Sequence, residues 1–213
     1  FGKRLVDQPL MRAVLADLGL EVEAATALML RLARAFDEAP GDPAARAFAR
    51  LATAVAKYWV CKRAPGLIYE AMECLGGGGY VEESILPRLY REAPVNSIWE
   101  GSGNVMCLDV LRSLGREPEA LPAFWAELDA ARGNPRLDAV VATLKQELAR
   151  PQDAERQARW LVEQMALALQ ASLLLRHAPT GVAEAFVVSR LDAPSLSFCA
   201  LPSAVALEPI LER

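Results

Sequence analysis

Apolar side chains recur at alternating steps of four and three along residues 11–36. This repeat predicts an amphipathic helix whose apolar seam faces the core of a helical bundle. A second helical pattern runs from about residue 44 to residue 75, and Pro65 within it predicts a kink or break near Lys62 because proline lacks a backbone N–H. The predicted seam of the first helix consists of Met11, Leu15, Leu18, Val22, Ala25, Met29, Leu32 and Phe36, and the predicted buried side of the second consists of Phe48, Leu51, Val55, Trp59, Met72 and Leu75.

Capping and turn residues divide the rest of the chain. Asp42 before Pro43 and Asn134 before Pro135 are each typical of a helix start, with an N-cap side chain followed by proline at the first helical position. A glycine cluster at residues 76–79 separates further helical patterns. The pattern therefore predicts an all-α chain.

Two more long helical patterns follow residue 115. A turn at residues 179–181 separates them from a short helix near residues 182–190, and the Pro and Ser content beyond Asp192 predicts an irregular tail. The predicted buried face is Leu137, Val140, Val141, Leu144 and Leu148 in the first of these helices, and Trp160, Leu161, Met165, Leu169 and Leu173 in the second.

The composition predicts a large hydrophobic core and argues against a membrane span and a metal site. The chain has 213 residues, of which 53% are hydrophobic, enough to bury a substantial core. Its longest nearly apolar run, at residues 165–175, is too short to span a bilayer. No signal peptide opens the chain, which starts at Phe1, so we expect a piece of a cytoplasmic protein. No CxxC spacing occurs, which favours reduced packing cysteines and predicts no metal site. The cysteines are Cys61, Cys74, Cys107 and Cys199.

The charge pattern argues against a nucleic-acid surface. The formal net charge is −4 at pH 7, which gives no general attraction to phosphate backbones. We interpret a basic run on the second predicted helix as a solvated face rather than a nucleic-acid contact. The single histidine, His177, is expected to cap a helix end rather than bind a metal. The basic run consists of Arg46, Arg50, Lys57, Lys62 and Arg63.

Residues 76–112, GGGGYVEESILPRLYREAPVNSIWEGSGNVMCLDVLR, resemble the C-terminal helical domain of the flavin-dependent acyl-CoA dehydrogenases. That family carries a Gly-Gly-x-Gly-Tyr turn followed by a Tyr-Glu-Gly-Thr turn; here Trp99 replaces the tyrosine and Ser102 the threonine. The string PVNSIWEGSGN, after LPRLYRE, is most similar to the AidB-type branch, flavoproteins associated with the DNA alkylation response. The resemblance implies an antiparallel four-helix bundle over residues 1–114, a helical extension over residues 115–213, and assembly as a homotetramer.

By the same resemblance, Glu100 is the expected catalytic base. In the family this carboxylate removes the α-proton of an acyl-CoA thioester, bound FAD accepts the β-hydride, and the backbone N–H of the glutamate helps to polarise the thioester carbonyl. Such a base needs a dry site, and Ile98 and Trp99 are expected to desolvate Glu100 and increase its basicity. The residues alone leave a simpler alternative open, in which Glu100 begins a helix and its charge suits the N-terminal dipole.

The resemblance also assigns candidate FAD contacts. Phe1 and Gln8 belong to the family's segment that reaches the adenosine diphosphate end of FAD held by a neighbouring subunit, although the family's usual glutamine aligns with Pro9. The glycine turn is expected to approach the same diphosphate, with Glu73 where many members carry glutamine. An ordinary helix lead-in and an ordinary helix C-cap remain open for these two segments. The full candidate set is Phe1, Gln8, Glu73, Gly76, Gly77, Trp99, Gly101, Ser102 and Asn104.

Three functions stay open at the level of sequence. The first is FAD-dependent dehydrogenation of an acyl-CoA by a complete protein, of which this chain alone is expected to be inactive. The second is a DNA-associated alkylation-response flavoprotein with little turnover, because the extension resembles the region of AidB-type proteins to which DNA contact has been assigned. Residues 115–213 do not favour it, since they hold ten Lys and Arg against thirteen Asp and Glu. The third is a helical oligomerisation module with no ligand of its own.

Overall fold

The computed structural model of the chain describes residues 2–192 and 205–212. Every regular element in that part is a helix, which confirms the predicted all-α fold. Phe1, Cys199 and most of the predicted irregular tail lie outside the described residues. After a 3₁₀ turn at Leu5–Asp7, the helices are α1 (Pro9–Glu38), α2 (Pro43–Cys74), α3 (Gly77–Tyr80), α4 (Leu86–Asn96), α5 (Gly103–Arg116), α6 (Ala120–Asp129), α7 (Pro135–Leu148), α8 (Pro151–His177), α9 (Thr180–Val187) and α10 (Glu208–Leu211). Helix α9 continues into a π-helical turn at Val188–Asp192.

A short connection joins α1 and α2, which pack against each other as an antiparallel hairpin. Asp42 is the N-cap of α2, as predicted: its Oδ1 accepts a hydrogen bond from the Ala44 N–H at 2.8 Å, and Pro43 takes the first helical position. Of the predicted kink or break near Lys62, the break is wrong, because α2 continues through Pro65, and the kink stays a prediction. Packing of α2 against α1, α4, α5, α6 and α8 outweighs the one backbone hydrogen bond that the proline removes.

The buried face of α1 differs from the predicted seam. Val22, Met29 and Phe36 are 53%, 54% and 58% exposed. The side chains that enter the core lie on an adjacent face and are mostly alanines, which let α1 approach its neighbours closely. Leu75, predicted to be buried at the end of α2, is exposed as well. The fully buried apolar residues of α1 are Ala16, Leu20, Ala24, Leu28 and Ala35.

Helix α8 completes the bundle. It packs against α1, α2 and α5, so residues before and after position 115 share one hydrophobic core. The Trp59 indole on α2 donates to Gln170 Oε1 on α8 at 3.0 Å, which gives a buried N–H its acceptor. The predicted bundle with a packed helical extension is therefore confirmed. Trp160 departs from the predicted face of α8 because it is 39% exposed, whereas the other predicted residues are buried: Leu161, Met165, Leu169 and Leu173.

Buried ion pairs join the extension to the bundle. Arg190, in the π-helical turn, donates to Asp17 on α1 at 2.7 Å. Arg63 on α2 donates to both carboxylate oxygens of Glu21 at 2.9 Å. Burial favours a raised pKa for Glu21, but hydrogen bonds and charges from Arg63 and Arg190 outweigh it and hold that pKa below its ordinary value. The extension is thus held by charge pairing as well as by apolar packing.

The basic run on α2 is a solvated face only in part: Arg46 and Lys62 are exposed as predicted, whereas the other three cations contact distant parts of the chain. Arg50 donates to both oxygens of Asp109 on α5, at 2.8 and 3.1 Å. Arg63 belongs to the buried cluster, and Lys57 contacts the turn before α5. These cations therefore hold other parts of the chain against α2.

The last elements close the described fold. His177 lies at the C-terminal end of α8, as predicted. Helix α10, in the region predicted to be irregular, packs on α1 and α9. At Gly181 on α9 a Cβ would lie 2.6 Å from the Pro209 Cβ, so this contact requires glycine. Among the described residues, no helix is long and apolar enough to cross a bilayer.

Candidate functional site

The turn between α4 and α5 carries the predicted catalytic residue. Glu100 has φ +53° and is the one non-glycine residue in the described part with positive φ; Gly101 follows with φ +110°. Helix α5 begins at Gly103, with Ser102 as its N-cap. Glu100 therefore lies outside the helix, three residues before its first helical position. That placement does not fit the alternative in which Glu100 begins a helix, because the dipole effect is confined to the first turn.

The side chains around Glu100 are open to solvent. Ile98 is 64% exposed, Trp99 is 60% exposed, and Glu100 itself is exposed. The expectation that Ile98 and Trp99 desolvate Glu100 is therefore wrong for this chain. The turn lies at the edge of the bundle, and the helical core covers none of these three side chains.

Lys57 on α2 contacts the backbone on both sides of Glu100. Its Nζ donates to the carbonyl oxygen of Trp99 at 3.0 Å and to that of Gly101. Lys57 and Glu100 also line one groove, of about 550 Å³, together with Phe36 and other side chains of α1, α2 and α5. The turn that carries Glu100 is thereby attached to the longest helix of the bundle.

The first turn of α5 is engaged by the extension. Arg159 on α8 donates from Nε to Asn104 Oδ1 at 2.8 Å. The Ser102 hydroxyl makes no capping hydrogen bond to α5 and is exposed. Behind this turn, burial raises the pKa of the Cys107 thiol, although the positive charges of Arg159 and Lys62 oppose the shift. Cys107 is therefore a packing residue rather than a nucleophile.

A second group of candidate residues lies where α1 begins and α2 ends. Gln8 and Glu73 line a common groove of about 370 Å³. A hydrogen bond to Glu73 and the charge of that carboxylate raise the pKa of the Tyr69 hydroxyl. Gly76 has φ +56°, and a Cβ at Gly76 or Gly77 would meet nothing within 4 Å. The glycine turn therefore presents exposed backbone beside this groove.

The two groups are far apart on this chain. Lys57, beside the Glu100 turn, lies sixteen residues before Glu73 on one continuous helix. At the rise of an α-helix this is about 24 Å. In the described part of the chain, no group of three or more His, Cys, Asp or Glu side chains could hold a metal ion. The structure thus forms two separate surfaces, each of which carries polar candidate residues beside apolar side chains.

Two residues that contact the candidate site have no local sequence signal. Lys57 lies 42 and 44 residues from its two acceptors, and Arg159 lies 55 residues from Asn104. The charge pattern assigned Lys57 to a basic run, and Arg159 has no distinguishing neighbours in sequence. Only the packing of α2 and α8 around the turn identifies them.

The first comparison with known proteins concerns the domain. A family profile described as "Acyl-CoA dehydrogenase, C-terminal domain" matches residues 1–115. This range contains both groups of candidate residues. It also contains Lys57, whereas Arg159 lies beyond it.

Individual relatives agree with that match. The chain is 46% identical over 193 residues to AidB of the acyl-CoA dehydrogenase family from Escherichia coli (strain K12), covering 90% of this chain and 35% of AidB. It is 35% identical over 141 residues to acyl-CoA dehydrogenase family member 11 of Caenorhabditis elegans, covering 65% of this chain and 23% of that protein. The crystal structure of C. elegans ACDH-11 in complex with C11-CoA superposes with a TM-score of 0.77 at 25% identity, over 100% of this chain and 37% of that one. The chain therefore spans about a third of the length of such relatives.

Proposed function

The chain belongs to the acyl-CoA dehydrogenase family, and on that premise we propose that it is the C-terminal part of an FAD-dependent enzyme that introduces an α,β double bond into an acyl-CoA thioester. The observation that carries the proposal is the placement of Glu100, an exposed carboxylate in a positive-φ turn directly ahead of α5. C. elegans ACDH-11, which shares the fold, is in complex with C11-CoA. This likeness supports an acyl-CoA as the substrate class.

In this proposal Glu100 removes the α-proton. Its carboxylate is exposed on this chain, so the proposal requires other parts of the complete protein to cover Ile98 and Trp99 and to exclude water from Glu100. The backbone N–H of Glu100 donates to the thioester carbonyl oxygen and stabilises the negative charge that develops there. Bound FAD supplies the acceptor for the β-hydride. This chain alone is therefore expected not to turn over.

The chemistry of the two polar surfaces fits parts of FAD. Around the glycine turn, Gly76 and Gly77 leave room for an anion against backbone N–H groups, as a diphosphate requires. Gln8 supplies an amide there, while the Glu73 carboxylate suits a ribose hydroxyl rather than a phosphate. At the other surface, the first N–H groups of α5 have no partner within the helix. Residues that would approach the flavin there are Trp99, Gly101, Ser102 and Asn104.

Separation of these surfaces supports self-association as part of the proposal. Two surfaces about 24 Å apart along α2 suit two different FAD molecules, one held by this subunit and one by a neighbour. Exposed apolar side chains on α1 offer a surface for such a contact. They are Val22, Met29, Leu30 and Phe36. We propose a homotetramer, as the family resemblance implies.

Replacement of Glu100 by glutamine in the complete protein tests the proposed function. Glutamine has nearly the same shape but cannot take up a proton, so the rate of flavin bleaching by acyl-CoA should fall by a factor of about 10² to 10⁴. FAD content and oligomeric state should be retained. Anaerobic stopped-flow absorbance with short and branched acyl-CoA substrates measures this rate.

Glu92→Gln is the matched control. Glu92 is an exposed carboxylate on the adjoining helix α4 and pairs with Arg88, so its loss should leave bleaching unchanged. Equal bleaching rates in the Glu100→Gln and wild-type proteins would remove Glu100 from the mechanism. Slow bleaching in both would favour a flavoprotein with little turnover.

A further inference from the structure

The ammonium group of Lys57 donates its hydrogen bonds to the backbone of a segment that is distant in sequence. Both of its acceptors are backbone carbonyl oxygens, those of Trp99 and Gly101, rather than a carboxylate one turn away on the same helix. Lysine can donate up to three hydrogen bonds, so a single cation can satisfy both carbonyls. Bonds from a charged donor are shorter and stronger than those between neutral groups.

These two carbonyls flank Glu100, the residue with φ +53°. A non-glycine residue in this region of backbone space is strained, and such strain persists only where the surroundings determine the conformation. Two carbonyl groups fixed on one cation determine the peptide planes on either side of Glu100. The conformation of the turn therefore depends on α2, a helix whose own position is fixed by the core.

We propose that Lys57 is a positioning residue for Glu100: by holding the Trp99 and Gly101 carbonyls it fixes the direction in which the Glu100 side chain and backbone N–H point. The inference rests on the proposed function, because it makes Lys57 act through the base rather than on substrate. Lys57 needs no contact with acyl-CoA or FAD in this role.

Geometry distinguishes this role from simple charge. A guanidinium group is planar and longer than an ammonium group, so arginine at position 57 keeps the charge but directs its N–H groups differently. Methionine keeps the apolar stem and removes all donors. Lys57→Arg should therefore retain part of the flavin-bleaching rate that Lys57→Met loses. A purely electrostatic role of Lys57 would instead let Lys57→Arg retain all of that rate.

The test uses the complete FAD-bound protein in three forms: wild type, Lys57→Met and Lys57→Arg. In Lys57→Met, backbone amides of residues 98–103 should exchange with deuterium at least several-fold faster than in wild type. The bleaching rate should fall by about 10², the loss that follows a misplacement of about 1 Å. The dissociation constant for acyl-CoA should stay within a factor of about three of wild type, because the hydrogen bond from the Glu100 N–H strengthens mainly in the transition state, as negative charge develops on the thioester oxygen.

Lys145→Met is the control variant. Lys145 lies over the Trp125 ring in the extension, away from the turn, so exchange at residues 98–103 and bleaching should both match wild type. Circular dichroism and FAD content establish that each variant is folded. Should Lys57→Met not fold, Lys57→Gln, which removes the charge but can still donate to one carbonyl, should show smaller changes in the same direction.

The outcomes separate this inference from the proposed function. Wild-type exchange and wild-type bleaching in Lys57→Met, beside slow bleaching in Glu100→Gln, would overturn the inference and leave the proposed function standing. A wild-type bleaching rate in Glu100→Gln would overturn the proposed function. Lys57 would then have no catalytic base to position. Faster exchange with slower bleaching in Lys57→Met, partly recovered in Lys57→Arg, is the expected result.

Discussion

At the scale of single residues, two glutamates show how neighbours decide the behaviour of one side-chain type. Glu127 on α6 accepts hydrogen bonds from Arg31 at 2.7 Å and from Arg176 at 2.8 Å. Burial favours a raised pKa for Glu127, but these two arginines outweigh it and the pKa lies below the ordinary value of 4.5. Burial raises the pKa of Glu163 on α8, which the positive charge of Arg63 only partly offsets.

These opposite shifts predict opposite effects of substitution by glutamine on stability. The ion pairs of Glu127 stabilise the fold above its ordinary pKa, and this contribution is lost as pH falls through the lowered pKa. Glu127→Gln should therefore cost about 1.5–3 kcal/mol at pH 7, with the difference from wild type shrinking in acid. The raised pKa of Glu163 means that ionisation disfavours the folded state as pH rises. Glu163→Gln should therefore stabilise at pH 7 and give no gain well below pH 4.5.

Denaturant titrations of both variants and wild type at pH 7 and near pH 3 check this pair. Glu163→Gln serves as the control for Glu127→Gln, since it is the same chemical change at another partly buried site. A loss of stability in both variants at pH 7 would show that the carboxylate of Glu163 makes a favourable contact instead.

At the scale of elements, the sequence predicted helices better than their buried faces. Starts marked by Asp42 and Asn134 are correct to the residue, because a cap acts on backbone N–H groups within its own turn. The face of α1 was wrong because the helix has two apolar sides. Met29 and Phe36 are predicted to be buried because their apolar side chains are large. The core instead contains Ala24 and other small residues, where α1 lies close to neighbouring helices.

The same distinction applies to the candidate site. The local string around Glu100 identified the turn, since the residues that define it are adjacent in sequence. Neither Lys57 nor Arg159 could be identified, because each reaches the turn from a helix distant in sequence. The exposure of Ile98 and Trp99 was also beyond sequence reasoning, since apolar character does not say which surface covers a residue.

The contact between α8 and α5 gives the extension a predicted effect on flavin binding. Arg159→Ala in the complete protein frees the Asn104 side chain, which we propose approaches the flavin. FAD affinity should fall roughly fivefold, equivalent to about 1 kcal/mol for one such hydrogen bond. Flavin fluorescence on dilution measures the release. Arg132→Ala removes another exposed arginine of the extension, paired with Asp129, and should leave affinity unchanged. Equal FAD retention in wild type, Arg159→Ala and Arg132→Ala would show that Arg159 of the extension does not contribute to FAD binding.

At the scale of the whole molecule, charge decides between the two flavoprotein functions. The chain is acidic overall, and DNA binding would require folding to gather arginines on one surface. Three exposed arginines of the extension are engaged in the structure. Arg132 pairs with Asp129, Arg136 with Asp192, and Arg159 donates to Asn104. Folding therefore pairs Arg132 and Arg136 with carboxylates that balance their charge, whereas Arg159 keeps its charge beside a neutral amide.

We therefore predict that this chain binds duplex DNA weakly, with little dependence on salt. Each phosphate contact would release a counterion and steepen the slope of log affinity against log salt by about 0.9, so a small slope means few contacts. Titration of a labelled duplex at low and moderate salt measures both quantities. The double variant Asp129→Asn, Asp192→Asn removes the carboxylates from Arg132 and Arg136, and it should bind more tightly with a steeper slope. Submicromolar binding by the wild-type chain that weakens sharply with salt would contradict the prediction and favour a DNA-associated flavoprotein, because paired arginines would then have exchanged their carboxylates for phosphates.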